Sequence, residues 1–175
     1  MNHPMHVIVD GSDNLGKTTI LNMLSEKLQL PIIKMPNMQQ YIGTGDAEVF
    51  SQLFNETVIQ FAQFPFLLDR GYSSSEVYSK VFGREYDFGY LKNTKSTLSP
   101  KIIILTGRYV ITEYGKKPRV KYSSFCKDPI FDEEQKNMID EEFCEYARIN
   151  KCPLIRVHGK TVNQVFEEVL IKIYE

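Results

Sequence analysis

Between an apolar run, Val7 to Val9, and an amphipathic segment, Thr19 to Leu28, the chain reads Gly11-Ser12-Asp13-Asn14-Leu15-Gly16-Lys17-Thr18, a G-x-x-x-x-G-K-T loop. No other feature restricts the fold as much, because such a loop works only where a strand delivers it and a helix starts at its end. The turn then aims successive N–H groups inward, and the helix dipole adds positive potential. Phosphate oxygens fit that nest. Asn14, Leu15, Gly16, Lys17, Thr18 and Thr19 are therefore candidate residues for binding a nucleoside triphosphate, with ATP the expected one. Lys17 would reach the β- and γ-phosphates, and the Thr18 hydroxyl would complete the coordination of Mg²⁺. Gly11 and Gly16 allow the turn and a close approach of the backbone. The plain alternative is a chance glycine turn ahead of a helix.

Short apolar runs alternate with helix-length periodic segments along the rest of the chain, which predicts βαβ units and a parallel sheet. Five strands are expected, at His6 to Val9, Pro31 to Lys34, Phe64 to Leu68, Lys101 to Leu105 and Pro153 to Val157. Each is nearly continuous in apolar residues, as strands buried on both faces are. Helices are expected near Thr18 to Leu28, Ala47 to Gln63, Ser74 to Phe82, Glu133 to Ile149 and Val162 to Tyr174. The least regular stretches are Gly83 to Pro100 and Gly107 to Asp132, and the second is long enough to cover a site. A length of 175 residues with 42% hydrophobic content suits one domain over residues 1–175.

The formal net charge of -1 gives no electrostatic case for a nucleic-acid surface. Cys126, Cys144 and Cys152 form no C-x-x-C pair, so reduced thiols in a cytoplasmic protein are expected rather than a disulfide framework or a zinc site. Neither a signal peptide nor a membrane span is expected at the N-terminus.

The run Phe66-Leu67-Leu68-Asp69-Arg70 brings a carboxylate and a guanidinium to the carboxyl end of a strand, where open α/β sheets bind their ligands. Asp69 is a candidate for holding Mg²⁺ or its water, or for orienting the attacking oxygen. Arg70 is a candidate clamp for an acceptor phosphate. An ordinary surface ion pair is the competing reading.

With these residues in place, Val7 to Thr19 resembles the opening of thymidylate kinases, whose loop carries an Asp two places after its first glycine, here Asp13. Lys34-Met35-Pro36 with Ile42-Gly43 resembles the family's segment after the second strand. Asp69-Arg70 with Ser74 and Tyr78 resembles its D-R-x-x-x-S-x-x-x-[YF] stretch, and Phe143 to Ala147, Pro153 to Val157 and Thr161 to Ile173 follow its closing elements. The resemblance implies a three-layer P-loop kinase fold with a parallel five-stranded sheet flanked by helices. It also implies transfer of the γ-phosphoryl group of ATP to a deoxynucleoside monophosphate, with Mg²⁺, by a homodimer. Carried over by residue, Asp13 would meet the acceptor's sugar, Arg70 would hold its phosphate and Asp69 the magnesium-bound water, Tyr78 would wall the sugar, and Lys34 and Ser74 would be further substrate-binding residues. Phe54 would stack on the base, with Phe50 and Phe61 behind it. Plain core packing is the alternative for these aromatics, since all three phenylalanines share helical spacing.

Phosphoryl transfer needs positive charge over the transition state beyond Lys17, and Asn14 and Leu15 supply none. Family members without a loop arginine use a basic lid after the fourth strand. Lys116-Lys117-Pro118-Arg119-Val120-Lys121 occupies that region, and Arg119 is the expected catalytic cation within a lid over residues 107–132. A solvated basic loop is the competing reading. Met38 stands where a common form of the family has an arginine, and only the amides of Gln52, Asn55 and Gln60 lie near Phe54 to read a base. The acceptor is thus left open among thymidylate, another or a modified deoxynucleotide, and a nucleoside. A nucleotide-binding regulatory protein without transferase activity remains the third reading. The adenine would be held near Gly159 to Thr161.

Overall fold

The structure, a computed structural model, describes residues 6–35, 49–50, 53–55, 57–58, 64–83, 100–107, 109–111, 119–121 and 133–175. In chain order its elements are β1 (His6–Gly11), α1 (Lys17–Leu28), β2 (Ile32–Lys34), β3 (Phe66–Asp69), α2 (Tyr72–Val81), β4 (Lys101–Thr106), β5 (Tyr109–Ile111), β6 (Arg119–Lys121), α3 (Glu133–Asn150), β7 (Leu154–Arg156) and α4 (Val162–Tyr174). The described residues between 49 and 58 are helical as well.

Five strands form one sheet in the order β2-β3-β1-β4-β7, and every pairing among them is parallel. All six residues of β1 are buried, as befits a central strand covered on both faces. Its alternation decides which residues meet which helices. Val7 and Val9 join Leu67, Ile103, Leu105 and Ile155 under Ile20, Leu21 and Leu24 of α1 and Val165, Val169 and Ile173 of α4. Ile8 faces the opposite way, with Phe66, Leu68, Ile102 and Ile104, against Tyr72 and Val77 of α2 and Ile139, Phe143 and Ala147 of α3. The result is the three-layer α/β sandwich that the apolar runs predict.

β1 is the switch point. From β1 the chain crosses to the edge strand β2, returns to β3 beside β1, and then passes over β1 to β4 and on to β7, so that connections leave β1 to opposite sides and open a crevice at its carboxyl end. Gly11 sits there with φ 134°, and a Cβ at that position would lie 2.2 Å from the Leu105 carbonyl oxygen. The glycine is therefore required twice, by its dihedral and by the closeness of β4.

Three sequence expectations change. β3 begins at Phe66 rather than Phe64, because His6 pairs with Phe66 and leaves Phe64 half exposed. α2 begins at Tyr72, two residues before the predicted start, and its first turn is tied to β1 by the Ser73 and Ser74 hydroxyls, which donate to Asp10. The stretch 107–132, expected to be irregular, contains an antiparallel hairpin that pairs Tyr109 with Lys121, Val110 with Val120 and Ile111 with Arg119. A β-branched and aromatic run, Tyr109-Val110-Ile111, was the available signal. Gly83 to Pro100 falls mostly outside the described residues, as do the ends of the predicted helix Ala47 to Gln63.

Gly11→Ala should lower folding stability by about 3 kcal/mol or more, as backbone strain and overpacking add. Equilibrium urea unfolding checks this, and an unchanged midpoint would contradict the close approach to β4.

Candidate functional site

The loop after β1 turns through Gly11, through Asn14 at φ 62° and through Gly16 at φ 78°, where Gly16 serves as the N-cap of α1 without any side-chain cap. An uncapped helix N-terminus leaves N–H donors directed into the crevice. Leu15 anchors the loop's tip in the first core cluster, while Asn14, Thr18 and Thr19 are exposed. Lys17 is almost fully buried, and its Nζ donates to the carbonyls of Gly11 at 2.9 Å and Ser12 at 2.5 Å. Its charge is thus held over the mouth of the loop.

Across the crevice, β3 ends in Asp69, and the Thr18 hydroxyl donates to Asp69 Oδ2 at 3.4 Å. Burial pushes the Asp69 carboxyl above its ordinary value, with the Lys17 and Lys34 ammonium groups opposing that rise. Lys34 is exposed and stands in register with Asp69. Arg70 takes φ 65° and directs its guanidinium to Asp13 Oδ1, while the Tyr78 hydroxyl donates to Asp13 Oδ2 at 3.3 Å. Tyr78 is half-buried between Phe82 and Phe143, with ring centroids 6.2 and 6.1 Å away. Asp13, Arg70 and Tyr78 therefore form one cluster beside the loop.

Ser74 is placed differently from the acceptor-lining position expected of it. It is buried, and its hydroxyl donates to Asp10 Oδ1. Phe54 is half-buried against the second core cluster, whereas Phe50 is exposed. Arg119 opens β6, paired with Ile111; its side chain, like Met38, Phe61 and residues 116–118, lies outside the described residues. Gly159 takes φ 75° ahead of Thr161, which caps α4 in a reciprocal capping box with Gln164.

Two buried carboxylates that sequence reasoning passed over organise these parts. Asp10 has no exposed surface and accepts from the Gly11 N–H at 2.9 Å, the Gly71 N–H at 3.5 Å, the Ser73 hydroxyl at 2.5 Å and the Ser74 hydroxyl. It joins the phosphate loop to the turn that carries Arg70. Asp140 of α3, equally buried, accepts from Ser12, Thr106 and Gly107. A carboxylate within an otherwise apolar strand was the legible signal for Asp10, because a buried charge must be paired. Asp140 gave none.

The site's oxygens suit a hard divalent cation, since Thr18 and Asp69 offer a hydroxyl and a carboxylate that bound phosphates and water would complete. No cluster of three His, Cys, Asp or Glu side chains able to hold a metal occurs among the described residues. No helix among them is long and apolar enough to cross a membrane.

Sheet order, crossovers and loop together define a three-layer α/β fold with a P-loop after its central strand. Solved structures share it over nearly the whole chain at low sequence identity. Deoxyadenosine kinase from M. mycoides, with bound dCTP, aligns with a TM-score of 0.64 and 16% identity over 97% of this chain and 99% of that one. The YorR protein of Bacillus subtilis, in complex with phosphorylated GDP, gives 0.61 and 15% over 97% and 96%. Thymidylate kinase from Ehrlichia chaffeensis gives 0.59 and 15% over 99% and 100%. No protein-family model and no curated protein sequence matches.

The raised Asp69 value sets a pH dependence. A folded carboxyl that keeps its proton more tightly than the unfolded one favours folding most below pH 3.8, and that advantage is lost as pH rises through the folded value. Asp69→Asn should therefore raise the Tm of the ligand-free protein at pH 7 and give no gain well below pH 3.8. Thermal melts across that range check the sign.

Proposed function

We propose that this chain transfers the γ-phosphoryl group of ATP to a deoxynucleoside monophosphate, dTMP or a related or modified dNMP, giving the diphosphate. The observation that carries the reading is the Asp13–Arg70–Tyr78 cluster standing beside a G-x-x-x-x-G-K-T loop. A planar guanidinium matches an acceptor phosphate through two parallel hydrogen bonds. The neighbouring carboxylate and phenol suit sugar hydroxyls, and Lys34, at the end of β2, adds positive charge on the same side.

In the reaction an oxygen of the acceptor phosphate bonds to the γ-phosphorus as the bond to the β–γ bridging oxygen breaks, and ADP leaves. Phosphate monoesters are largely ionised at neutral pH, so this acceptor needs no general base. Lys17, with Arg119 of the hairpin, neutralises charge on the transferring group, and the N–H groups of Gly16 to Thr19 hold the donor phosphates. Mg²⁺, when bound, would neutralise negative charge on the donor phosphates. Thr18 and Asp69 would hold it. The same reading carries a cytoplasmic homodimer that uses no nucleic-acid polymer. Val49, Phe50 and Leu53, exposed on helical residues, offer apolar surface for the second copy.

A nucleoside acceptor is the second reading, supported by the likeness to deoxyadenosine kinase and by the upward shift at Asp69. A 5′-hydroxyl must lose a proton, and a carboxylate with a raised value suits that task.

Incubation with ATP and Mg²⁺ against a panel of deoxynucleoside monophosphates and nucleosides, scored by product charge, tests the proposal. Diphosphates are expected, and monophosphates made only from nucleosides would replace it with the second reading. Lys17→Ala should lower kcat at least about a hundredfold. Arg70→Lys should raise the acceptor KM roughly tenfold with donor affinity unchanged.

A further inference from the structure

The last register pair between β1 and β4 is Gly11 with Leu105. One residue further along stand Ser12 and Thr106, where the first strand has already turned into the phosphate loop. A side chain from a third element joins them. Asp140 Oδ1 accepts from the Ser12 hydroxyl at 3.0 Å and from the Gly107 N–H at 3.2 Å, and Oδ2 accepts from the Thr106 hydroxyl at 2.6 Å. Ser12 is also the residue whose carbonyl receives Lys17 Nζ at 2.5 Å.

We propose that Asp140 is a positioning residue for phosphoryl transfer, fixing Ser12 against the end of β4 so that Ser12 in turn fixes the Lys17 ammonium and the curvature of the loop. The inference rests on the reading of residues 11–18 as the donor-phosphate loop. A carboxylate with no exposed surface is costly to bury and tolerates few arrangements of its partners. The Ser12, Thr106 and Gly107 donors, among the described residues, come from the loop and from the end of the neighbouring strand. Were Asp140 only a core polar group, nothing would require its partners to include the residue that holds Lys17. The backbone ladder cannot make this tie, because Ser12 must leave the sheet for the loop to turn. A side-chain bridge holds the spacing while leaving the backbone free to curve.

The test is the affinity of a fluorescent ATP analogue with Mg²⁺, together with kcat, acceptor KM and Tm, for Ser12→Ala, Thr106→Val, Ser12→Ala/Thr106→Val and Asp140→Asn. Ser12→Ala leaves Asp140 with its Thr106 and Gly107 donors, so that variant folds even where Asp140→Asn does not. Ser12→Ala is expected to weaken analogue binding about three- to tenfold, the range of one lost hydrogen bond, to lower kcat, and to leave acceptor KM unchanged. Ser12 and Thr106 should also be coupled, the double variant losing less affinity than the two single losses combined. Lower Tm with unchanged analogue affinity and kcat would overturn the proposal, as would strict additivity. A wild-type protein that binds the analogue but transfers phosphate to no acceptor would end the kinase reading, and the affinity cycle would still decide the role of Asp140.

Discussion

A carboxylate without solvent access, Asp10, is the constraint on which the geometry of the site depends. Burying it unpaired would cost several kcal/mol, so the structure surrounds it with donors from two places far apart in sequence. One is the first glycine of the phosphate loop. The other is the start of α2, where Gly71, Ser73 and Ser74 all turn toward it. Satisfying the charge therefore closes the distance between the loop that would hold a donor and the turn that carries Arg70. The same contacts tie the first turn of α2 to β1 through the Ser73 and Ser74 hydroxyls.

The site concentrates features that a stability optimum would avoid. Asn14 and Arg70, neither of them glycine, take positive φ within the two loops facing the crevice, and such conformations persist only where their surroundings over-determine them. Asp10 supplies that determination on the side of α2, and Asp140 on the side of β4. Leu15 adds an apolar anchor at the loop's tip. The half-buried Asp69 carboxylate, shifted toward its neutral form, is a further cost that the folded chain carries near Lys17. Preorganised charge of this kind is what electrostatic stabilisation of a transferring group requires.

Most of the fold was legible because parallel strands buried on both faces leave unbroken apolar runs, and β1 and β4 are such runs. The turn between β1 and α1 was legible because its signal is local: two glycines, a lysine and a threonine at set spacing. The pairing of Tyr109–Ile111 with Arg119–Lys121 was harder, since three-residue strands carry little periodicity. Ser74 illustrates a different obstacle. Its position in a D-R-x-x-x-S pattern indicates that a hydroxyl is wanted there, but the partner, Asp10, is brought to it only by the pairing of β1 with β3.

The sequence by itself thus determined the class of fold, the glycine turn between β1 and α1 and the presence of an acid–base pair at the end of β3, because each depends on residues adjacent along the chain. Only the tertiary structure decided that Arg70 and Tyr78 converge on Asp13, that Asp10 and Asp140 brace the loop from opposite sides, and that Phe54 leans on the core. Those contacts join segments separated by many residues. Their distances follow from the order in which strands lie beside one another, and that order is set by packing on both faces of the sheet rather than by any local preference.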